Sequence, residues 1–274
     1  MLVNNKLLID NDCPMCKAYG SCFIAFKMVD KDTISPYQTT DSSLIKNVDL
    51  KRAKNEIALH DTNSNKTLYG LDALIKIITQ KNEHLKKIAA FMYPFFLRCY
   101  KLISFNRKVI YPTSKITEGR DCTPDFNLKY RIAYIILVAL FTGLILQKYA
   151  GLIYFSIGWE SNKLQEIAIC FGQILWQYFA FHIISKDRVN VLEYLGNMST
   201  VSLIGGILLL PILIVHSFVG LSVWLLIGYF VAVVSIMFLE HIRRCKLKNF
   251  PGSLSMSWVL YRMLILSITL TINL

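Results

Sequence analysis

Three long stretches in the second half of the chain contain no charged residue. They cover residues 132–147, 167–185 and 194–239. A helix of about 20 residues crosses the hydrocarbon core of a bilayer, so one straight helix over the third stretch would overshoot the membrane about twofold. We therefore predict two spans there, joined by a tight turn near residues 216–220. A chain with this pattern cannot fold around one soluble core.

A fifth candidate span, residues 254–273, contains one charged residue, Arg262. A charge at the centre of a span costs roughly 2.5–3.5 kcal/mol on insertion scales. Arg262 lies in the first half of the segment, where a long side chain can reach the interface, and the alternative is a helix lying on the membrane surface. We predict an all-α membrane bundle with five spans, at about 131–151, 167–185, 195–216, 220–239 and 254–273.

Charge is concentrated at the other end of the chain. Residues 1–128 carry 19 Lys/Arg and 13 Asp/Glu, whereas residues 129–274 carry 11 and 5. We predict a soluble domain over 1–83, an amphipathic and linker segment over 84–128, and the membrane domain over 129–274. The net charge of +12 does not indicate nucleic acid, because the basic residues are scattered and no base-reading motif is present. The lipid bilayer is the expected partner of these charges.

The basic residues also predict an orientation. With the N-terminus inside, Lys129, Arg131 and the Lys/Arg of the loops after spans two and four fall on the inner side, and only Lys148 and Lys163 lie outside. The first residues include no apolar stretch of signal-peptide length. We therefore expect a multi-pass membrane protein with a cytoplasmic N-terminal domain, whose seven cysteines are mostly reduced.

The first 83 residues alternate strand and helix patterns. Apolar runs, turn clusters and helical spacing of apolar residues predict strands and helices in a set order: strand 6–10, helix 14–29, strand 34–37, an uncertain helix within 41–54, a hairpin of strands 56–60 and 66–69, and helix 71–79. This order matches a thioredoxin-like α/β domain.

A Cys-Pro-Met-Cys motif lies where the first strand meets the first helix. A dithiol that cycles needs one reactive thiolate and a second thiol that resolves the mixed disulfide. The partial positive charge of a helix N-terminus lowers the pKa of a cysteine placed there, and Pro14 suits the first helical position. We expect Cys13 to be the nucleophile and Cys16 the resolving thiol, with a protein thiol or disulfide as substrate and an external electron donor.

Two other interpretations of these cysteines are open. Half of a zinc site would need two more ligands, and no second close Cys or His pair follows; purely structural cysteines are the third possibility. Cys22 lies on the opposite side of the predicted helix from Cys13, and we expect it in the core. We expect neither a metal nor an organic cofactor.

Two carboxylates flank the motif. Asp10, or its neighbour Asp12, could assist proton transfer to Cys16 or could shape the loop. A carboxylate near Cys13 opposes thiolate formation, and Asp suits turns and helix caps, so loop shaping is the favoured interpretation.

These residues resemble a known family. Asp10-Asn11-Asp12-Cys13-Pro14 with Cys16, directly after a strand, is similar to the signature of the DCC family of thiol-disulfide oxidoreductases. The stretch Tyr100 to Arg107, with Asn106-Arg107, resembles the C-terminal Tyr…Asn-Arg segment of that family. The resemblance covers about residues 1–112 and implies a thioredoxin-like fold, a protein-disulfide reductase type of activity and a site of Asp10, Cys13 and Cys16. No proline lies between residues 38 and 91, so the cis-proline that faces the dithiol in thioredoxin is missing.

Residues 84–111 alternate apolar and basic side chains. The segment could lie on the membrane surface, with Arg98, Lys101, Arg107 and Lys108 near lipid headgroups. It could also pack on the soluble domain, and both can hold together. Cys99 and Cys122, on the same side of the membrane, are candidates for a second-stage thiol.

The second span contains one polar face, formed by Glu166, Cys170, Gln173 and Gln177 at 4-3-4 spacing. Such a face turns toward other helices or a wet cavity, where it either forms a small polar pocket or joins helices by hydrogen bonds. The dithiol and the membrane half together leave two function classes. The first is a membrane-anchored thiol-disulfide oxidoreductase. The second is a transporter or complex subunit whose dithiol domain is a regulatory or docking module.

Overall fold

The computed structural model describes residues 4–80, 82–114, 119–159, 164–185 and 190–273. It is mostly helical, with a small sheet near the N-terminus and five candidate membrane-spanning helices in the C-terminal part. The chain divides into two compact units, residues 1–131 and residues 132–274.

The first unit is built on a four-stranded sheet. Its strands are β1 (Asn5–Ile9), β2 (Ile34–Pro36), β3 (Ala58–Asp61) and β4 (Lys66–Tyr69). Their order across the sheet is β2-β1-β3-β4; β2 runs parallel to β1, and β3 runs antiparallel to both β1 and β4. Since β1 and β2 are parallel and neighbouring, their carboxyl ends meet at one edge of the sheet, where the loop containing Cys13 begins.

Helix α1 (Pro14–Ala25) starts directly after that loop, with Cys13 as the N-cap residue and Pro14 in the first turn. The helix ends four residues before the predicted end at Val29. Lys27 adopts a left-handed conformation with φ 52°, and the Met28 amide donates to the Phe23 carbonyl at 2.8 Å, which closes the helix. The expectation that Cys22 lies in the core is wrong: its side chain is exposed, because α1 turns the face of Cys16 and Phe23 to the sheet.

The uncertain region 41–54 contains two short helices, α2 (Ser42–Ile45) and α3 (Leu50–Asn55). Strand β3 begins later than predicted because Glu56 is the C-cap of α3. The hairpin leads to α4 (Gly70–Thr79), whose first residue has φ +57°. A Cβ on Gly70 would lie 3.0 Å from the Tyr100 ring, so both the backbone and the space require glycine there.

Two further helices, α5 (Glu83–Phe91) and α6 (Tyr93–Ile110), belong to the first unit and meet at a bend of 80°. Together they pass a length and hydropathy test for one broken span. However, α6 packs on the sheet side of the unit: the Tyr100 hydroxyl accepts a hydrogen bond from the Ile57 amide at 3.1 Å, and the Ser104 hydroxyl donates to the Asn55 carbonyl. Of the two interpretations of this segment, packing on the domain therefore describes α6.

The second unit contains most of α7 and four further helices that are long and apolar enough to cross a membrane. Their bounds are α7 (Leu128–Ile157), α8 (Gln165–Ile184), α9 (Val191–Val219), α10 (Val223–Leu247) and α11 (Ser253–Asn273). The turn predicted in the longest uncharged run lies where expected, since α9 ends at Val219 and Gly220 takes a left-handed conformation with φ 66°. The five predicted spans correspond one to one to these helices.

Candidate functional site

The two cysteines of the motif are held by the loop between β1 and α1. The Cys13 amide donates a hydrogen bond to the Asp10 carbonyl at 3.2 Å, which turns the chain into the helix. Both thiols are reduced, and both are buried: Cys13 is 0% exposed and Cys16 is 6% exposed. A substrate must therefore reach these sulfurs through a cavity or by moving a neighbouring segment.

The environment separates the acidities of the two thiols. The hydrogen bond from the Cys16 side chain to the Cys13 sulfur lowers the pKa of Cys13 to about 6, against the opposing effect of burial. The Cys16 amide and the charge of Arg107 act in the same direction. The pKa of Cys16 is raised, first by this same hydrogen bond and then by burial. The hydrogen bond therefore favours the thiolate on Cys13 and the proton on Cys16.

Asp10 organises the loop rather than facing the thiols with an unpaired charge. One carboxylate oxygen accepts from the Asp12 amide at 3.0 Å and from the Gln38 side chain at 2.8 Å. The other oxygen forms ion pairs with Arg107 at 3.5 Å and Lys108 at 3.3 Å. Two cations offset the carboxylate. Its charge still raises the pKa of Cys13, as expected, but it is the smallest of the effects, behind the opposing charge of Arg107.

Arg107 joins the dithiol loop to two other segments of the unit. Its side chain is 6% exposed, and its terminal nitrogens donate to the Lys54 carbonyl at 2.8 Å, the Asn55 carbonyl at 3.3 Å and the Cys122 carbonyl. A planar, always charged guanidinium can satisfy several acceptors at once while buried. The interpretation that Arg107 and Lys108 lie near lipid headgroups is wrong, because both point at the buried Asp10.

Gln38 is a site residue that the sequence reasoning missed. Its amide nitrogen donates to Asp10, and its side-chain oxygen accepts from the Asn11 amide at 3.1 Å. Gln38 follows β2, and parallel strands end at the same edge, so its position after the second predicted strand could have revealed it.

Among the residues that the structure describes, no peptide bond is cis.

A cavity of about 60 Å³ lies beside Cys16. The Nε of Arg107 is buried without a hydrogen-bond partner, and Arg107 is one of the residues at its wall. The walls are otherwise mostly apolar. They comprise Leu8, Asp10, Met15, Cys16, Tyr19, Ala53, Glu56, Ile57, Leu74, Tyr100, Ile103, Ser104, Arg107 and Cys122.

The structure brings one of the two candidate second-stage thiols to this cavity. Cys122 lines it together with Cys16, and burial raises the pKa of Cys122 to about 12. Cys99 lies on α6 and is partly exposed, and it does not line the cavity.

Across the described ranges, no three His, Cys, Asp or Glu side chains come together as a metal site would require.

The polar face of the second predicted span is buried in the second unit, as its spacing predicts. Glu166, Cys170, Gln173 and Gln177 are all at most 8% exposed. Gln177 accepts from the Tyr194 hydroxyl at 2.7 Å, which is the hydrogen-bonding role between helices. Gln173 instead lines a small cavity, and neither its oxygen nor its nitrogen has a hydrogen-bond partner.

Comparison of the chain with protein-family models, with curated proteins and with solved structures gives no match. The geometry of the site therefore carries the argument about function.

We predict that alkylation of Cys13 by iodoacetamide follows a titration with a midpoint near pH 6, because the thiolate is the nucleophile. Burial slows the reaction at every pH but leaves the midpoint in place. Replacing Cys16 with alanine removes the donated hydrogen bond and should move the midpoint toward 9, whereas Cys16→Ser keeps a donor and should move it less. Mass spectrometry of the two peptides measures both rates; faster alkylation of Cys16 in the parent protein would reverse the assignment.

We also predict that Arg107→Met raises the pKa of Cys13, because a nearby cation is lost while Asp10 remains. Arg98→Met, on the exposed part of the same helix, should leave the midpoint unchanged. Circular dichroism of the same samples reports on whether the unit is folded, because Cys122 is itself a partner of Arg107 and its labelling would change with the substitution. An unchanged Cys13 midpoint in an intact Arg107→Met protein would contradict the electrostatic role.

Proposed function

We propose that the protein is a membrane-anchored thiol-disulfide oxidoreductase of the protein-disulfide reductase type, acting through Cys13 and Cys16. The observation that carries the proposal is the geometry of two thiols at the start of one helix: Cys13 is the N-cap of α1, and Cys16, in the first turn, donates a hydrogen bond to it. This hydrogen bond lowers the pKa of Cys13, and perturbed pKa values cluster at functional sites. Asp10 and Arg107 are positioning residues of this site.

We further propose that the first unit is a thioredoxin-like domain related to the DCC family. A Cys-x-x-Cys beside a βαβ pattern is typical of thioredoxin-like redox proteins, and β1, α1 and the parallel strand β2 form such a pattern. The motif residues quoted for the resemblance also converge: Tyr100 and Arg107 line the same cavity as Asp10 and Cys16.

The proposed reaction is an exchange of two electrons between dithiol and disulfide. The Cys13 thiolate attacks one sulfur of a substrate disulfide, forms a mixed disulfide and releases the first substrate thiolate. Cys16 then gives its proton to the released substrate thiolate and attacks the Cys13 sulfur, which releases the second substrate thiolate and leaves a Cys13–Cys16 disulfide. An external dithiol donor returns the pair to the reduced form, being oxidised to a disulfide itself.

Access is the main structural requirement of this reaction. The Thr113 hydroxyl donates to the Asp12 carbonyl at 3.0 Å, and the Arg120 amide donates to the Gln38 carbonyl at 3.2 Å. Thr113 is thus attached to the dithiol loop, and Arg120 to Gln38 beside it, while Cys13 is completely buried. A protein substrate requires a local opening that exposes Cys13, whereas a smaller group could enter the cavity beside Cys16.

A second candidate function is that of a transporter or complex subunit whose dithiol domain is a regulatory or docking module. The observation in its favour is the cavity in the second unit, where the amide of Gln173 is buried without a partner and Arg262 is also at the wall. A ligand-dependent activity that persists in Cys13→Ser would support this candidate; loss of activity in that variant would support the oxidoreductase.

We expect Cys16→Ser to accumulate a mixed disulfide between Cys13 and a cellular thiol protein, because the resolving thiol is absent. The product should disappear on treatment with a reductant and should identify the substrate by mass spectrometry. The double variant Cys13→Ser/Cys16→Ser is the matched control. Equal trapping by Cys13→Ser, or none by Cys16→Ser, would contradict the proposed division of roles.

We propose a cytoplasmic first unit, and the exposed Cys22 gives a direct test of it. A membrane-impermeant maleimide should label Cys22 only after the cells are permeabilised. The variant Ser217→Cys, at an exposed position at the end of α9, should be labelled in intact cells, because the charge pattern predicts that this turn lies outside. Labelling of Cys22 in intact cells would invert the topology.

A further inference from the structure

The outer surface of α5 and α6 exposes apolar side chains that a soluble unit would normally bury. Three of them follow each other at spacing i, i+3 along α5, and two more begin α6 beyond the bend; the rings of Phe95 and Phe96 lie 5.8 Å apart. Phe91, at the bend, is 85% exposed. We call this the α5–α6 apolar surface, formed by Leu85, Ile88, Phe91, Phe95 and Phe96.

Basic side chains flank this surface. Lys86, Lys87 and Arg98 are exposed on the same two helices. Glu83, the acidic residue of α5, forms a solvent-exposed ion pair with Lys86 at 3.5 Å, so the segment keeps a positive excess. Apolar side chains bordered by exposed cations are typical of helices that lie in the headgroup region of an anionic membrane.

From Tyr100 onward α6 is held by the protein, so the pair α5–α6 does not cross the bilayer. Tyr100 contacts the start of β3, and Arg107 is bound to the dithiol loop and to α3. Inserting α6 as a sixth span would separate these pairs and bury Arg107 and Lys108 in hydrocarbon, which is costly. α5 and the exposed start of α6 remain available to lipid.

The far end of α6 contacts the residues that directly precede the first uncharged run. The Asn106 side chain donates to the Tyr130 carbonyl at 3.0 Å and accepts from Arg131 at 2.8 Å, and Phe105 stacks on Tyr130 at 5.2 Å. Residue 132 begins the apolar part of the first span, so these residues belong at the membrane interface. From Phe105 to Phe96 is about 14 Å along a helix, which keeps the apolar surface within reach of the same interface.

We propose that the α5–α6 apolar surface lies in the headgroup region of an anionic lipid bilayer, as a surface contact and not as a span. Ile103, seven residues after Phe96 and so on the same side of α6, also lines the cavity beside Cys16. The surface contact thus brings one wall of the dithiol cavity toward the membrane interface, where substrates with apolar groups collect.

The test uses the full chain in nanodiscs, with the photo-crosslinking residue p-benzoylphenylalanine in place of Phe91. The substitution exchanges one exposed aromatic residue for another, so folding is retained. The control carries the same residue in place of Asn63, an exposed position in the β3–β4 turn. Gly70 directly follows β4, and Tyr100 of α6 packs beside it. The β3–β4 turn lies at the other end of β4, about 13 Å from Gly70 along the strand.

After illumination, mass spectrometry should find lipid adducts on the peptide of residue 91 at least about tenfold more often than on that of residue 63. The yield should fall severalfold when phosphatidylglycerol is left out of a phosphatidylcholine nanodisc, and when Lys86, Lys87 and Arg98 are all replaced by glutamine, since surface electrostatics then weaken. Lipid adducts no more frequent at 91 than at 63, or crosslinks from 91 to protein in place of lipid, would overturn the proposal. Equal yields in the two lipid compositions would overturn the choice of an anionic surface. Titration of Cys13 in the same samples reports on the dithiol independently.

Discussion

The ion pairs between Asp10 and the cations Arg107 and Lys108 are the interaction on which the first unit depends. A carboxylate buried to 1% exposure is costly unless it is paired and hydrogen-bonded, and Asp10 has both kinds of partner. Breaking a buried pair by removing one member costs about 3–5 kcal/mol. The pair therefore fixes α6, which follows the dithiol loop by about 90 residues, against that loop.

This arrangement has a chemical consequence for the thiols. Two cations face one carboxylate, so the local field near Cys13 favours its thiolate although the site is buried. The hydrogen bond from Cys16 supplies the larger effect on the pKa of Cys13, and the charge of Arg107 adds to it. Burial alone would raise the pKa of both thiols, as it does for Cys122. The same contacts that hold the fold thus also separate the acidities of the pair.

The helix that supplies Arg107 also has an exposed apolar side. Its inner residues, such as Tyr100 and Ser104, are hydrogen-bonded to the start of β3 and the end of α3, whereas Phe95 and Phe96 are exposed. Sequence periodicity could not decide between packing and membrane contact for this segment, because apolar residues occur all round the helix. The structure assigns packing to the later part of α6 and leaves its start exposed and available for lipid, so both alternatives hold.

Several features followed from local sequence. The uncharged runs predicted five helices long enough to span a membrane, since only helix length and apolarity are needed, and Gly220 marked the turn between α9 and α10. The predicted strands and the Cys-Pro start of α1 depended equally on local patterns. Tertiary contacts decided the rest. Cys22 is exposed because the orientation of α1 is set by the sheet, and Gln38, Arg107 and Lys108 reach Asp10 only after strand pairing and helix packing bring distant segments together. Local sequence thus determined the elements and the dithiol, while the charges that surround the dithiol were determined by packing, because electrostatic partners far apart in the chain have no signature in the spacing of residues.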